Sequence, residues 1–149
     1  EMNSELDKLF ESKTKKDTFV INFMSFGYKH GMPTEADWVI DVRFIPNPYY
    51  VSSLKRLTGN NKKVAQYVMK QDVTKEFVNR IQEIITRLVP CYVKEGKYSL
   101  TVAFGCTGGQ HRSVYSAQHL AEHLNTKFGV KVHLVHREQN IEQLFNPTL

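Results

Sequence analysis

Cysteine is scarce in this sequence, and long apolar runs are missing. Only Cys91 and Cys106 occur among 149 residues, which is too few for a disulfide framework and favours free thiols. No apolar run approaches the ~20 residues that cross a bilayer, and the polar start lacks the apolar core of a signal peptide. Internal repeats and low-complexity tracts are also absent. We therefore expect a cytoplasmic domain with no membrane partner.

The composition is that of an ordinary globular domain with an excess of basic over acidic residues. Hydrophobic residues make up 41% and charged residues 23% of the chain, which argues against disorder. A length of 149 residues suits one domain with its own core. The net charge of +5 favours an anionic partner such as a phosphate ligand or a nucleic acid. The lysines are scattered in pairs, however, so a solvated lysine-rich surface explains the charge equally well.

The hydrophobic pattern predicts an α/β fold with a mostly parallel sheet and helices on both faces. Phe77, Ile81, Ile84 and Leu88 define the predicted buried face of a helix that ends before Pro90. The predicted elements are strands at 18–26 (buried on both faces), 38–43, 99–104 and 130–135, and helices at 62–70, 74–89 and 113–128, the last capped by Gly129. The chain divides into a polar N-terminal segment or linker (1–17), an α/β domain (18–138) and a loosely attached C-terminal tail (139–149).

A glycine-rich loop connects the predicted third strand to the helix that follows it. The glycines allow backbone N–H groups to point inward, and the helix dipole favours negative charge, so this arrangement is typical of an anion site. Arg112 can add a forked grip on phosphate oxygens, and Ser113 can cap the helix or donate to the same anion. The predicted phosphate-binding residues of this loop are Cys106, Thr107, Gly108, Gly109, Gln110, His111, Arg112 and Ser113.

The same loop matches the pattern Cys-x-x-Gly-x-x-Arg-Ser of cysteine-dependent phosphatases. In that alternative Cys106 is the nucleophile, Arg112 clamps the phosphate and Asp41 is the general acid. Gly105 stands where tyrosine phosphatases usually have histidine, which weakens the match. A tight turn with a buried, inert cysteine is a third interpretation of the same residues.

Polar clusters follow each of the other predicted strands. In open α/β sheets, ligands bind beyond the carboxyl ends of the strands, so we expect these clusters to meet at one edge. Asp41 can bind an amine or hydroxyl there, although Asp41 and Arg43 can equally form a structural ion pair. Together the clusters indicate a phosphorylated sugar, including an amino sugar. The cations of this predicted positive mouth are Lys29, His30, Arg43, Arg112, His136 and Arg137.

One further motif is rejected as a catalytic site. His119, Glu122 and His123 match the H-x-x-E-H pattern of certain zinc proteases. Both histidines fall opposite the helix face formed by Val114, Ala117, Ala121, Leu124 and Phe128. No third ligand is apparent, so neither a metal nor any other cofactor is predicted.

Three long segments resemble the C-terminal domain of the bacterial RapZ (RNase adapter) and YvcJ family. They are SFGYKHG (25–31), DVRFIPNP (41–48) and GCTGGQHRSVY (105–115), and His136 with Arg137 extends the match. Members of this family carry an N-terminal P-loop domain that binds ATP or GTP. No Gly-x-x-x-x-Gly-Lys-Ser/Thr motif occurs here, so we expect the chain to represent the C-terminal domain alone.

The resemblance implies a non-enzymatic sensor and adapter. It implies binding of glucosamine-6-phosphate, contact with a small regulatory RNA and a ribonuclease, and assembly into homo-oligomers. The ligand contacts carried over by motif are Lys29, His30, Asp41, Arg43, Thr58, Gly59, Cys106, Gly108, Gly109, His111 and Arg112.

The chain departs from RapZ at two places. The basic C-terminal tail of RapZ is replaced by the sequence QNIEQ (139–143), and Tyr49 stands where RapZ has histidine. These departures weaken the expectation of RNA binding more than that of sugar-phosphate binding, and they favour the YvcJ branch. An RNA-binding module without a small ligand remains a third hypothesis, besides the sensor and the phosphatase.

Overall fold

The computed structural model describes residues 19–128 and 130–146, with the side chains of 125–128 excepted. Its elements follow one another as strand β1 (Val20–Gly27), strand β2 (Trp38–Asp41), helix α1 (Lys62–Lys70), helix α2 (Asp72–Glu95), strand β3 (Ser99–Cys106), helix α3 (Arg112–Phe128), strand β4 (Lys131–His136) and strand β5 (Ile141–Phe145). Short 3₁₀ turns occupy Tyr28–His30, Pro48–Tyr50 and Arg137–Gln139. The helix at 62–70 has the bounds that the sequence predicts.

The five strands form one sheet in the order β2-β3-β1-β4-β5. The first four are parallel, and β5 is antiparallel to β4. In the register of β1 with β3, Gly27 lies opposite Cys106. The ends of β1, β2 and β3 therefore meet at one edge of the sheet, where the sequence predicts the ligand. The α/β class and the mostly parallel sheet are confirmed.

One face of the sheet carries the hydrophobic core. Phe23, Val102 and Leu134 share a register row on this face, and each is fully buried. Helix α3 packs against β1, β3 and β4, and α2 reaches the same face, since the Phe77 ring lies 6.2 Å from that of Phe104. The described helices therefore cover one face, whereas the sequence predicts helices on both.

The opposite face of β1 is half-buried over most of the strand and fully buried only at Phe26, so the prediction of burial on both faces holds only near its end. Val20, Asn22 and Met24 alternate with the fully buried Phe19, Ile21 and Phe23. The polar Asn22 donates to the Thr101 hydroxyl at 3.2 Å on this side. Alternation of buried and half-buried residues is typical of a strand with one covered face.

Helix α2 is longer than predicted, and its buried face is rotated from the predicted one. Val78, Ile85 and Val89 are fully buried, whereas Phe77 and Ile81 of the predicted face are half-buried against the core.

The helix continues through Pro90 to Glu95 because the proline lies on an exposed side, where a helix tolerates the loss of one N–H. The stop signal is Gly96, whose φ of 92° is left-handed. Lys97 N–H then bonds the Tyr92 carbonyl at 2.9 Å, the pattern of a Schellman cap.

The predicted C-terminal tail is partly ordered into the sheet. Ile141–Phe145 form β5, in which Phe145 lies opposite Val132 of β4. Asn140 adopts left-handed angles (φ 54°, ψ 40°), which reverse the chain between the two strands. The prediction of a loosely attached tail is therefore wrong for 141–145. The Gly129 cap, the side chain of Phe128 and the segment 1–17 lie outside the described residues.

None of the described helices has both the length and the apolar character that a membrane crossing requires.

Adjacent isoleucines of α2 test which face of this helix is buried. Ile85 is fully buried, whereas Ile84, on the face predicted from sequence, is 46% exposed. We expect Ile85→Ala to lower the free energy of unfolding by about 2–5 kcal/mol, since it leaves a cavity in the core. Ile84→Ala removes the same atoms and is expected to change it by less than about 1 kcal/mol. Urea denaturation measures both, and equal losses would contradict the assignment.

Candidate functional site

A cavity of about 340 Å³ opens at the edge where β1 and β3 end. It lies between the loop from Cys106 to Arg112, the turn after β1 and the turn at Pro48–Tyr50. Its lining comprises Lys29, His30, Asn47, Tyr49, Tyr50, Cys106, Thr107, Gly108, Gln110, His111 and Arg112. The structure thus brings together the glycine-rich loop with Lys29 and His30, two parts of the site predicted from sequence.

Close backbone contacts fix the loop in place. A Cβ atom on Gly27 would lie 2.5 Å from the Gly108 carbonyl carbon, and one on Gly59 would overlap the His111 carbonyl oxygen. Gly59 N–H donates to the Gln110 carbonyl at 2.7 Å. Gly109, at φ 75°, takes the left-handed conformation that glycine adopts without strain. Gly59 therefore packs against the backbone of the loop on the side away from the cavity, which it does not line.

The guanidinium of Arg112 is hydrogen-bonded through Nη1, whereas its other donors are almost unused within the described residues. The side chain is only 5% exposed. Its Nη1 donates to the carbonyls of Arg43 at 2.9 Å and Ile45 at 3.1 Å, whereas Nη2 makes only a long 3.5 Å contact with the Thr107 hydroxyl. Its Nε is buried and has no acceptor within the described part of the chain. The Nε–Nη2 edge is the side of a guanidinium that binds an oxyanion with two parallel hydrogen bonds.

The Nε2 atom of His111 is a second buried polar atom without a partner in the described part of the chain. The residue is 6% exposed. Burial lowers the pKa of His111, although the carbonyls of Leu54, Lys55 and Leu57 oppose this shift. The ring is therefore mainly neutral at pH 7 and can offer one donor and one acceptor.

Cys106 and Ser113 contact each other. The Cys106 Sγ lies 3.1 Å from the Ser113 Oγ, and both side chains are buried. Cys106 lines the cavity at the end of β3, whereas Ser113 does not line it. The Ser113 hydroxyl thus faces the thiol inside the loop.

Asp41 and Arg43 form an ion pair beside the cavity. The closest oxygen and nitrogen lie 2.6 Å apart, and both side chains are about half exposed. The Arg43 guanidinium also lies 4.1 Å from the centre of the Tyr28 ring. The side-chain hydrogen bond from Arg43 holds the pKa of Asp41 below its usual value. Neither residue lines the cavity, and Asp41 is ionised at neutral pH.

The two residues predicted after the fourth strand do not join the cavity lining. His136 is fully buried on the core face of β4, between the Ser25 hydroxyl at 2.7 Å and the Gln118 side-chain oxygen at 2.9 Å. Burial lowers its pKa to about 4. Arg137 donates to the Gly31 carbonyl at 2.5 Å and pairs with Glu138 at 2.9 Å. His136 therefore adds no positive charge to the mouth at neutral pH.

The remaining predicted residues lie around the loop. Thr58 contacts the side chain of Asn60 and, like Gly59 and Gly109, is not part of the lining. Of the sixteen predicted site residues, those that line the cavity are Lys29, His30, Cys106, Thr107, Gly108, Gln110, His111 and Arg112.

Sequence reasoning missed two groups of residues. Asn47, Tyr49 and Tyr50 line the cavity from a turn whose prolines predict rigid backbone but do not indicate where the neighbouring side chains point. Glu138 accepts from Gly27 N–H at 2.7 Å, and Gln139 donates to the Gly109 carbonyl at 2.8 Å. Burial alone would raise the pKa of Glu138, but the hydrogen bonds from Arg137 and Gly27 outweigh it and lower the pKa.

The histidines of the rejected zinc motif stack on each other. The ring centres of His119 and His123 lie 4.0 Å apart. Burial lowers the pKa of His119 to about 4. Within the ranges that the structure describes, no group of three or more His, Cys, Asp or Glu side chains is arranged to hold a metal ion.

Comparison with known proteins yields one matching family model and many relatives. The model of the RapZ C-terminal domain matches residues 19–140. A nucleotide-binding protein of Alkaliphilus oremlandii is 44% identical over 95% of this chain and 48% of its own length. One from Caldicellulosiruptor saccharolyticus is 46% identical over 93% and 47%. One from Clostridium botulinum is 50% identical over 84% and 42%. The chain thus spans about half the length of these relatives.

Two glycines of the site test the close backbone contacts. Gly59→Ala places a Cβ against the His111 carbonyl, so we expect a loss of about 1–3 kcal/mol in the free energy of unfolding. Gly108→Ala is the matched control, because a Cβ there meets only the Gln110 side chain at 4.0 Å. Its effect is expected within about 0.5 kcal/mol. Equal effects of the two substitutions in urea denaturation would contradict the packing described here.

The buried histidine predicts a pH dependence of stability. The pKa of His136 is lowered from 6.5 to about 4, so the unfolded chain takes up a proton between these values that the folded protein does not. The contribution of the neutral His136 to folding stability is fully present above pH 6.5 and is lost as the pH falls towards 4. We expect a smaller fall of the urea midpoint between pH 7 and 4.5 in His136→Gln.

His119 is a second histidine whose pKa burial lowers to about 4, so the pH dependence of the parent protein combines both groups. His136→Gln is therefore expected to remove part of the fall, and the double variant with His119→Gln to remove more of it. A parent-like fall in His136→Gln would show that His136 is not a group responsible.

Proposed function

The chain belongs to the RapZ C-terminal domain family, and we propose that it is a regulatory domain that binds a phosphorylated sugar, such as glucosamine-6-phosphate, without turning it over. The observation that carries this proposal is the buried Arg112 in the wall of the cavity, whose Nε has no hydrogen-bond partner among the described residues and whose Nη2 has only a long one. A buried cation with unused donors is stabilised by an anion that accepts from them.

The rest of the lining supports a phosphate group in the same place. Lys29 and His30 are exposed and line the same cavity. No Asp or Glu occurs among the described residues that line it. The loop between β3 and α3 supplies backbone N–H groups at a helix N-terminus, where negative charge is favoured.

A volume of about 340 Å³ suits a small polar molecule, at the lower end of the range for ligand cavities. Tyr49, Tyr50, Asn47 and Gln110 provide ring faces and amides for a sugar. The amino group has less support, because Asp41 is paired with Arg43 outside the lining. The amino sugar is proposed on the family resemblance.

The phosphatase alternative is favoured by one observation, the presence of Cys106 in the cavity wall. Two others oppose it. Asp41 stands outside the lining, and its pKa is lowered, whereas a general acid must hold a proton at neutral pH. The Cys106 thiol is only 3% exposed and contacts the Ser113 hydroxyl. We therefore propose binding without catalysis.

Association with RNA, with a ribonuclease and with further copies of the chain is proposed on the resemblance and on the charge of +5. A chain that neutralises RNA phosphates releases counterions, so its RNA affinity would fall steeply with salt. The relatives are called nucleotide-binding proteins. Since this chain has no P-loop motif, we assign ATP or GTP binding to the other half of such proteins.

Phosphorus NMR of glucosamine-6-phosphate with the reduced protein tests binding and turnover together. We expect a protein-dependent shift or broadening and no inorganic phosphate over several hours. Arg112→Lys keeps the positive charge but cannot form two parallel hydrogen bonds to a phosphate. The affinity for glucosamine-6-phosphate is therefore expected to fall at least about tenfold.

Lys94→Ala is the control, because Lys94 lies at the end of α2 that precedes β3, away from the cavity lining. Its spectrum should match that of the parent. An unchanged phosphorus signal with the parent protein would rule out this sugar. Inorganic phosphate that disappears in Cys106→Ser would favour the phosphatase.

A further inference from the structure

An exposed tyrosine stands at the rim of the cavity. Tyr50 is 84% exposed, although a tyrosine ring in a folded domain is usually at least partly covered. It lines the cavity together with Arg112, Lys29 and the glycine-rich loop. The cavity therefore combines cationic groups, which suit an anion, with an exposed aromatic ring, which can stack on a ring of the ligand.

The backbone that carries Tyr50 is fixed. The Asn47 side chain accepts from Tyr49 N–H at 3.0 Å, and Tyr50 N–H donates to the Asn47 carbonyl at 3.2 Å. Pro48 is buried at the start of the turn. Upstream, the Ile45 carbonyl accepts from Arg112. The same guanidinium that offers its free edge to an anion therefore also anchors the segment that carries the tyrosine.

The neighbouring Tyr49 leaves Tyr50 as the ring available to a ligand. The Lys55 ammonium lies 4.6 Å above the centre of the Tyr49 ring and occupies one of its faces. The two tyrosines meet at an interplanar angle of 83° with 5.8 Å between ring centres. This edge-to-face contact restrains Tyr50 while the rest of its ring remains open to solvent.

We propose that Tyr50 stacks on the ring of the bound phosphate ester and makes the site select cyclic over acyclic phosphomonoesters. This inference rests on the proposed function and specifies its ligand class. Arg112 and the loop bind the phosphate that all such esters share, and Tyr50 binds only those that carry a ring. Stacking depends on the aromatic face and does not need the tyrosine hydroxyl.

The test compares the affinities of glucosamine-6-phosphate and sn-glycerol-3-phosphate by calorimetry. The parent protein is expected to prefer the cyclic ester. Tyr50→Ala should lower the affinity for glucosamine-6-phosphate about two- to tenfold and leave the affinity for glycerol phosphate unchanged. Tyr50→Phe should retain the preference. Tyr98→Ala is the matched control, because Tyr98 is 82% exposed and precedes β3, at the other end of that strand from the cavity.

The outcomes separate this inference from the proposed function. Binding of both esters by the parent with equal affinity overturns the role of Tyr50 but leaves the phosphate site standing, as does an equal loss for both esters in Tyr50→Ala. Binding of neither ester overturns the proposed function, and the inference with it. If the Tyr50-dependent preference holds, a nucleoside 5′-monophosphate then shows whether the stacked ring is a base or a sugar.

Discussion

The buried guanidinium of Arg112 is the group on which the candidate site depends. Arginine stays charged at every accessible pH, so its burial must be offset by hydrogen bonds. Two backbone carbonyls satisfy Nη1, while Nε has no acceptor in the described chain and Nη2 only a distant one. The half-satisfied cation is therefore a structural clamp, and its unused donors are the ones that we propose bind an oxyanion.

The sheet and its glycines place this cation at the cavity. Parallel pairing of β1 with β3 brings Gly27 beside Cys106, and the absent side chain at Gly27 lets the loop approach the end of β1. Gly59 allows a second approach from the segment before α1. The Arg137–Gln139 turn closes the third side through Glu138 and Gln139. Phosphate binding would thus act on a loop whose position is already set by three separate segments.

Much of this arrangement is predictable from sequence because it rests on local patterns. A strand, a glycine-rich turn and a helix N-terminus predict the anion site, and the parallel topology predicts that Lys29 and His30 lie beside it. Asp41 and Arg43 were expected either in the mouth or in an ion pair, and the ion pair is what the structure contains.

One error overlooks a sequence pattern, and the others concern properties that depend on tertiary packing. His136 was counted among the cations, yet it continues the alternation of Val132 and Leu134 onto the covered face of β4, so the period of two already indicated burial. Pro90 did not end α2, because its missing N–H falls on an exposed side of the helix. The direction of Tyr50 depends on a turn held by Asn47 and Arg112, and no sequence period encodes it.

The most direct test of this account is an arginine-selective ¹H–¹⁵N NMR spectrum that follows the Nε–H group of Arg112, assigned by its loss in Arg112→Lys. The account predicts that glucosamine-6-phosphate shifts this resonance downfield and slows its exchange with water, because the buried donor gains a phosphate acceptor. An Arg112 resonance that stays unchanged at saturating sugar phosphate would contradict it.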